Sequence, residues 1–242
     1  MRVHIVMSVL MVALAASHAD AQKIADETSR RQAMDLYRTG MEFMSSERFD
    51  KAAEAFTASI EKDPLLTVSH YQLGQAYMNL KRPASALQAY KGCLEAMEAL
   101  HHLEESNKIE VDKQRKDTIR EMRDELNRNV KIDPLRRTVI EQRVREMEQE
   151  RTATIGGPFR APGFVLLAIG SAHFRNGDRE AAEAQWRAAV DANPNLGEAH
   201  NNLAVVYLQK GQKADAENAV KQAEKNGFKV NPQLKADIQK LR

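Results

Sequence analysis

Cysteine is almost absent from this sequence: its 242 residues include one, Cys93. A single thiol cannot form a disulfide within the chain, so the fold must be stabilised by its hydrophobic core. Aromatic residues are also scarce, at 5%. The abundant residues are Ala, Leu, Met, Glu, Lys, Gln and Arg, which favour helices.

An excess of charge of one sign is missing too. The 36 Lys and Arg residues are nearly balanced by 34 Asp and Glu residues, so the formal net charge is +2. Such a chain has no large uniform field that would steer it onto nucleic acid or an anionic membrane. We therefore expect no nucleic-acid partner.

The longest apolar run, residues 5–16, is short for a membrane span, which needs about 20 residues. Arg2 and His4 precede this run, and the small residues Ala19 and Ala21 follow it. This order is typical of a secretory signal peptide, cleaved after Ala21 or alternatively after Ala19. We expect a protein that is exported to the periplasm or secreted and has no stable membrane span after cleavage.

Small residues recur at fixed intervals in the stretch "GEAHNNLAVVYLQKGQKADAENAVKQAEKNG" at residues 197–227. The pattern is repeated 34 residues earlier and twice more in the N-terminal half, so that the four copies begin at residues 33, 67, 163 and 197. The residues at the shared positions are Leu36, Gly40, Phe43, Ala52, Phe56 and Ser59; His70, Gly74, Tyr77, Ala86, Tyr90 and Cys93; Leu166, Gly170, His173, Ala182, Trp186 and Ala189; and His200, Ala204, Tyr207, Ala216, Val220 and Ala223.

These positions resemble the tetratricopeptide repeat, a pair of antiparallel helices about 34 residues long. Small residues let the two helices approach closely, and large residues fill the gaps between neighbouring pairs. The resemblance covers about 136 of the 242 residues. It implies an all-α solenoid of four repeats in two pairs, with the first helix of each repeat on the concave face.

A long charged insertion separates the two pairs. Residues 101–151 contain 13 basic and 13 acidic residues, and their sparse apolar residues are three or four positions apart. This spacing predicts a narrow apolar stripe on a mostly solvated helix. Asp133 and Pro134 interrupt the stripe as a helix cap and a first helical residue. We expect a helical hairpin that protrudes from the repeat stack or folds along it.

The pattern predicts six segments. They are a signal peptide at residues 1–21, an N-terminal segment at 22–32, repeats 1 and 2 at 33–100, the inserted hairpin and its linker at 101–162, repeats 3 and 4 at 163–230, and a C-terminal helix at 231–242. Asn231 and Pro232 mark the start of the last helix, which we expect to cover the apolar end of the stack.

The resemblance places the candidate binding residues on the concave face. This lining is apolar and rich in methionine, which suits an apolar helix or a peptide. The candidate residues are Tyr37, Met41, Tyr71, Gln75, Ser171, Arg175, Asn201, Asn202 and Val205. The alternative is that the inserted hairpin or the segment 22–32 fills this groove from within the chain.

One known mode of the family is excluded by the residues at its key positions. Family members that bind the acidic C-termini of cytosolic chaperones have Lys, Asn and Arg at four concave positions. In this sequence those positions hold Tyr37, Met41, Phe164 and Ala168.

No nucleophile elbow, phosphate-binding loop, zincin pair or dinucleotide fingerprint occurs in the sequence. We expect a protein that is not an enzyme and has no catalytic residue, cofactor or metal site. The expected function is that of a scaffold or adaptor of the cell envelope that binds a protein or peptide partner in the concave groove.

Two alternatives remain open. The chain could be a self-assembling structural protein that associates through residues 101–151. A remote alternative is a metal-dependent activity at His101 and His102, although adjacent residues of a helix point about 100° apart and a closed zinc site needs about four ligands.

Overall fold

The computed structural model describes residues 24–106, 108–128, 132–153 and 158–241, and the predicted signal peptide lies outside them. Eleven helices and no strands occur in these ranges, which confirms the prediction of an all-α fold. The helices are α1 (Glu27–Ser45), α2 (Phe49–Lys62), α3 (Thr67–Asn79), α4 (Pro83–Ser106), α5 (Lys108–Arg128), α6 (Pro134–Ala153), α7 (Gly163–Arg175), α8 (Arg179–Ala192), α9 (Gly197–Gln209), α10 (Lys213–Lys225) and α11 (Pro232–Lys240). Within these ranges no helix is both long enough and apolar enough to cross a membrane.

Eight of the helices form the four repeats. The two helices of each repeat pack on each other, as α1 with α2, α3 with α4, α7 with α8, and α9 with α10. Neighbouring repeats are joined by contacts of α2 with α3, α4 with α7, and α8 with α9. Because α4 packs directly on α7, the two pairs form one continuous stack despite the insertion between them.

The close approach within each repeat depends on the small residues that the pattern identified. In three repeats a glycine of the first helix lies against an aromatic ring of the second, and a Cβ built on the glycine would be 2.3–2.5 Å from the nearest ring atom. These contacts are Gly40 with Phe56, Gly74 with Tyr90, and Gly170 with Trp186. In repeat 4 the same positions hold Ala204 and Val220, both in one buried cluster. The ring therefore occupies the space that a side chain on the glycine would need.

The turn between the two helices of each repeat uses a left-handed residue. In repeats 3 and 4 this residue is Gly177 (φ 90°) and Gly211 (φ 71°), whereas in repeats 1 and 2 it is Glu47 (φ 56°) and Lys81 (φ 57°). Glycine adopts this conformation without the steric cost that a Cβ imposes. The N-terminal pair therefore carries backbone strain that the C-terminal pair lacks.

The C-terminal helix α11 begins at the predicted cap. The Asn231 side chain accepts a hydrogen bond from the Gln233 backbone N–H at 2.8 Å, and Pro232 occupies the first turn. Ile238 of α11 is buried in the same cluster as Val220 of α10. The helix thus covers apolar surface that the last repeat would otherwise expose.

Candidate protein-binding groove

The helices α5 and α6, called the inserted hairpin below, run antiparallel to each other. Arg123 of α5 forms an ion pair with Glu148 of α6 at 2.6 Å, and Glu125 forms one with Arg136 at 2.8 Å. Residues further along α5 therefore pair with residues closer to the start of α6, which is the order of contacts in an antiparallel hairpin. Asp133 and Pro134 stand where the sequence predicts the start of α6.

The helix α5 lies against α1 of repeat 1. The Arg38 guanidinium donates hydrogen bonds to both carboxylate oxygens of Glu121, one of them at 2.9 Å. These bonds raise the pKa of Arg38 above its ordinary value. A bidentate pair of this kind fixes both the position and the orientation of the two helices.

An apolar contact forms where the inserted hairpin meets the concave face. Tyr37 and Met41 of α1 are 5% and 7% exposed. They belong to one buried cluster with four residues of the insertion, namely Met122, Ile132, Ile140 and Val144. The structure therefore places these two candidate residues under the chain's own hairpin, and the groove of repeats 1 and 2 is filled from within.

Arg143 of α6 sits between two aromatic rings of the groove. Its guanidinium carbon lies 4.2 Å from the ring centroid of Tyr71 and 4.8 Å from that of Phe164. Arg143 is 4% exposed, and its Nε has no hydrogen-bond partner among the described residues. The Gln75 side chain donates a hydrogen bond to the Tyr71 hydroxyl at 3.2 Å. Burial raises the pKa of Tyr71, and the positive charge of Arg143 opposes that rise.

A polar contact joins α6 to the end of α8. The Glu146 carboxylate accepts hydrogen bonds from Gln142 at 3.0 Å and from Asn193 at 3.1 Å. Burial raises the pKa of Glu146, while these two hydrogen bonds act in the opposite direction. The contact adds to the attachment of α6 to repeat 3, which Arg143 also contacts through Phe164.

The concave face of repeats 3 and 4 is more accessible. The candidate residues Ser171, Asn201, Asn202 and Val205 are half-buried there. Among the described residues, the side-chain amides of Asn201 and Asn202 have no hydrogen-bond partner within the chain. Three apolar side chains of α7 and α9 are also only partly buried there, namely Leu167, Phe174 and Leu208.

Arg175, the remaining candidate, connects two repeats. Its Nη1 donates a hydrogen bond to the backbone carbonyl of Met78 at 3.2 Å. Met78 lies in the last turn of α3, and its carbonyl oxygen also accepts a hydrogen bond from the backbone N–H of Lys81 at 3.2 Å. This arginine therefore contributes to the junction between the two pairs of repeats.

A cleft of about 1520 Å³ opens between the inserted hairpin and the stack. Its lining combines basic side chains, such as Arg31 and Arg145, with acidic ones, such as Asp35 and Asp191. With charges of both signs on its walls, the cleft has no electrostatic preference for an anionic or a cationic ligand.

Histidine and cysteine have structural positions in the repeats. The Nε2 atoms of His70 and His200 lie 2.9 Å from the carbonyl oxygens of Pro64 and Pro194, the same contact in two repeats. Burial raises the pKa of Cys93 to about 12, so its thiol is a poor nucleophile near neutral pH.

The rings of His101 and His102 are 6.1 Å apart. Among the described residues, no group of three or more His, Cys, Asp or Glu side chains is arranged to hold a metal ion.

The stack and its concave groove define a helical repeat protein. The family model of the tetratricopeptide repeat matches residues 37–96 and 167–227, which together make up half of the chain. The chain belongs to the tetratricopeptide repeat family. The two matched regions fall within the two predicted pairs of repeats.

Two curated relatives each match a short part of this chain. The photosystem I assembly protein Ycf3 of Rippkaea orientalis is 41% identical over 61 residues, which are 25% of this chain and 35% of that protein. The protein of the same name from Cyanophora paradoxa is 38% identical over 61 residues, with the same coverage. The match thus spans about a third of the length of these relatives.

Among solved structures, the chain is similar to PilW, described as a widely conserved type IV pilus biogenesis factor. The two are 16% identical, and the match covers 90% of this chain and 87% of PilW with a TM-score of 0.42.

Proposed function

We propose that this chain is a non-catalytic scaffold or adaptor of the cell envelope that binds a helix or peptide of a partner protein in its concave groove. The observation that carries the proposal is the contact with α6. This amphipathic helix lies in the groove with Ile140 and Val144 buried against repeat 1 and Arg143 between two rings. A groove that binds one helix through an apolar stripe has the chemistry to bind another.

The proposed contact surface for the partner is the part of the groove that α6 leaves accessible. Asn201 and Asn202 offer amide groups that can hydrogen-bond a peptide backbone. Val205 and Leu208 offer apolar surface about one and two turns further along the same helix.

The other parts of the proposal have separate support. Residues 2–21 begin with a positive charge and continue with an apolar run and then small residues. This order supports export to the periplasm or the cell exterior. The partial match to proteins named for the assembly of photosystem I supports a role in bringing other proteins together. The proposal requires no cofactor.

The test is site-specific photocrosslinking from the native envelope fraction. A photoreactive amino acid is placed at Val205 in the groove or, as the matched control, at Asn218, which is exposed on α10. We expect a discrete crosslinked partner from position 205 that is absent at position 218 and lost in the Asn201→Ala/Asn202→Ala variant. The same products at both positions, or products that survive the double substitution, would contradict the proposal.

A second candidate function is self-assembly through the inserted hairpin. Among the described residues, Val139 of α6 is the one large hydrophobic side chain that is classed as exposed, with 42% of its surface accessible. The mass of the mature chain by light scattering, with and without Val139→Lys, tests this function. A monomer in both cases would exclude assembly through that surface, and an oligomer that Val139→Lys dissociates would establish it.

A further inference from the structure

We propose that Glu198 binds a lysine or arginine side chain of the partner that lies on the concave face of repeats 3 and 4. This inference rests on the proposed function, because it names the charge that the partner must carry. The partner segment is a helix with an apolar stripe and one cationic side chain, which lies over the start of α9. The inserted hairpin stays docked on the N-terminal pair of repeats.

Glu198 stands at one end of a line of exposed and half-buried side chains on α9. Asn201 follows one turn later, Val205 about one turn after that, and Leu208 ends the line. Glu198 and Leu208 are ten positions apart, which is about 15 Å along the helix axis. The line therefore begins with a carboxylate, continues with an amide and ends with apolar side chains.

The opposite end of the same face carries an arginine. The helices α7, α8 and α9 pack in sequence and are joined by short turns, so α7 and α9 run in the same direction. Arg175, the last residue of α7, therefore lies at the same end of the face as Leu208, and it is exposed. Its positive charge disfavours a cation there. The charges of this face thus suit a partner whose cation lies at the Glu198 end.

Glu198 has no compensating charge within the chain. Among the described residues, its carboxylate has no hydrogen-bond or ion-pair partner. Burial raises the pKa of Glu198, and no cation of the described residues lowers it. The side chain is nevertheless exposed. Both properties are expected of a carboxylate on a concave surface, where protein atoms surround a group that water can still reach.

Glu183 of α8 shows the opposite arrangement. It is 7% exposed and pairs with Arg187 at 3.0 Å and with Lys210 of α9. The stack therefore compensates the carboxylate that it buries itself and leaves Glu198 uncompensated. A partner without a cation would cover Glu198 as an unpaired charge, which costs free energy, whereas a lysine or arginine would compensate it. This difference gives the site its selectivity.

A structural role of Glu198 at the start of a helix can be separated from this binding role. Both Glu198 and Glu180 lie in the first turn of a helix, where the helix dipole favours a negative charge. Glu180 is also exposed, but it belongs to α8, the second helix of repeat 3. It is therefore the matched control for Glu198.

The test uses three fluorescently labelled synthetic peptides as probes. Each is a helix-forming sequence of about 18 residues, long enough to span the face of about 15 Å. All three carry the same leucine stripe at one end, and they differ in a single residue at the other end, which is lysine, glutamine or glutamate. Fluorescence anisotropy gives their dissociation constants for the mature chain and for its Glu198→Gln, Glu198→Lys and Glu180→Gln variants. Circular dichroism verifies that each variant is folded.

We expect the lysine peptide to bind the unchanged chain about tenfold more tightly than the glutamine peptide, because a charged hydrogen bond in a partly desolvated site is stronger than a surface ion pair. Glu198→Gln should reduce this preference to less than about twofold, and Glu198→Lys should reverse it in favour of the glutamate peptide. Glu180→Gln should leave the preference unchanged. A reversed preference cannot arise from a loss of folding, so it tests the contact even if Glu198→Gln lowers the stability of α9.

Three results would overturn the inference. They are a chain that binds none of the three peptides, equal affinities of the lysine and glutamine peptides for the unchanged chain, and a lysine preference that persists in Glu198→Gln or is also lost in Glu180→Gln.

The outcome can be separated from that of the proposed function. A partner crosslinked at position 205 together with peptide binding that does not depend on charge would remove only the cation site. Lysine-selective peptide binding without a crosslinked partner would contradict only the envelope scaffold.

Discussion

The N-terminal pair of repeats (33–100) and the C-terminal pair (163–230) share one packing scheme and differ in what covers their concave faces. Gly74 against Tyr90 and Gly170 against Trp186 show the same close contact in both pairs. The concave face of the N-terminal pair is buried by the inserted hairpin, whereas that of the C-terminal pair retains half-buried polar and apolar residues. The difference shows that equivalent positions in a repeat protein can serve packing in one repeat and remain accessible in another.

The largest expected effect comes from breaking the contact that covers the N-terminal pair. Ile140→Ala removes a side chain that is 5% exposed in the cluster with Tyr37 and Met41. We expect the docking of the inserted hairpin to weaken by about 2–4 kcal/mol, because both transfer free energy and packing are lost. Hydrogen exchange of α5 and α6, followed by mass spectrometry, measures this change.

Val139→Ala is the matched control for that experiment, since Val139 is the exposed neighbour on the same helix. Its effect should stay below about 0.5 kcal/mol. Equal exchange of the hairpin in the two variants would show that α6 does not bury Ile140 against repeat 1.

The next largest effect is expected from substituting the glycines that pack against aromatic rings in both pairs of repeats. Gly74→Ala and Gly170→Ala each place a Cβ 2.3–2.5 Å from a ring of the second helix. Glycine-to-alanine substitutions ordinarily stabilise a helix, but here overpacking should lower the free energy of unfolding by about 1–3 kcal/mol in both pairs. Urea denaturation measures the change, with the exposed Lys91→Ala on α4 as a control. A stabilised variant would contradict the glycine–aromatic packing.

A smaller effect is expected from exchanging the turn residues of the two pairs. Lys81→Gly should stabilise the chain by about 1 kcal/mol, because glycine relieves the left-handed conformation at φ 57°. Gly211→Lys should destabilise it by a similar amount, because it introduces a Cβ at φ 71°. Thermal unfolding of both variants tests the comparison, and shifts of the same sign would refute it.

The smallest effect concerns the pH dependence of the contact at Glu146. Burial raises the pKa of Glu146, so the folded chain holds this proton more tightly than the unfolded chain. The stability of the docked hairpin therefore falls as the pH rises through the range just above the ordinary carboxyl pKa of 4.5. Glu146→Gln should remove this dependence and stabilise docking by less than about 1 kcal/mol at pH 7.

Glu148→Gln is the control for the pH experiment, because Glu148 is a more exposed carboxylate on the same helix. Hydrogen exchange of α6 between pH 5 and 7 compares the two variants. A pH dependence that persists in Glu146→Gln but disappears in Glu148→Gln would show that Glu148, and not Glu146, is the carboxylate responsible.

The architecture could be predicted from the sequence because packing positions repeat every 34 residues. The starts of α6 and α11 were also predictable, since Asp133–Pro134 and Asn231–Pro232 carry capping chemistry in adjacent residues. In both cases the signal is local and depends on only a few residue types.

The position of the inserted hairpin could not be predicted from the sequence. The stripe of Ile140, Val144 and Met147 would be the same for a helix against the stack, against a second chain or against a partner. In the sequence, Arg143 looks like one of many surface charges. Its position between Ile140 and Val144, inside the apolar stripe, is the signal that could have identified it as a buried residue. That the nine candidate residues contact a partner remains a prediction. Three of them, Tyr37, Met41 and Tyr71, contact the chain's own inserted hairpin.

The most direct test of this account is the distance between α1 and α6 in solution. Spin labels at Thr39→Cys and Thr138→Cys, both exposed positions, are introduced with Cys93→Ser, and electron–electron double resonance measures their separation. A docked hairpin predicts a single narrow distance distribution at short range that broadens with Ile140→Ala. A broad distribution at long range in the otherwise unchanged chain would contradict the claim that the hairpin covers the N-terminal pair.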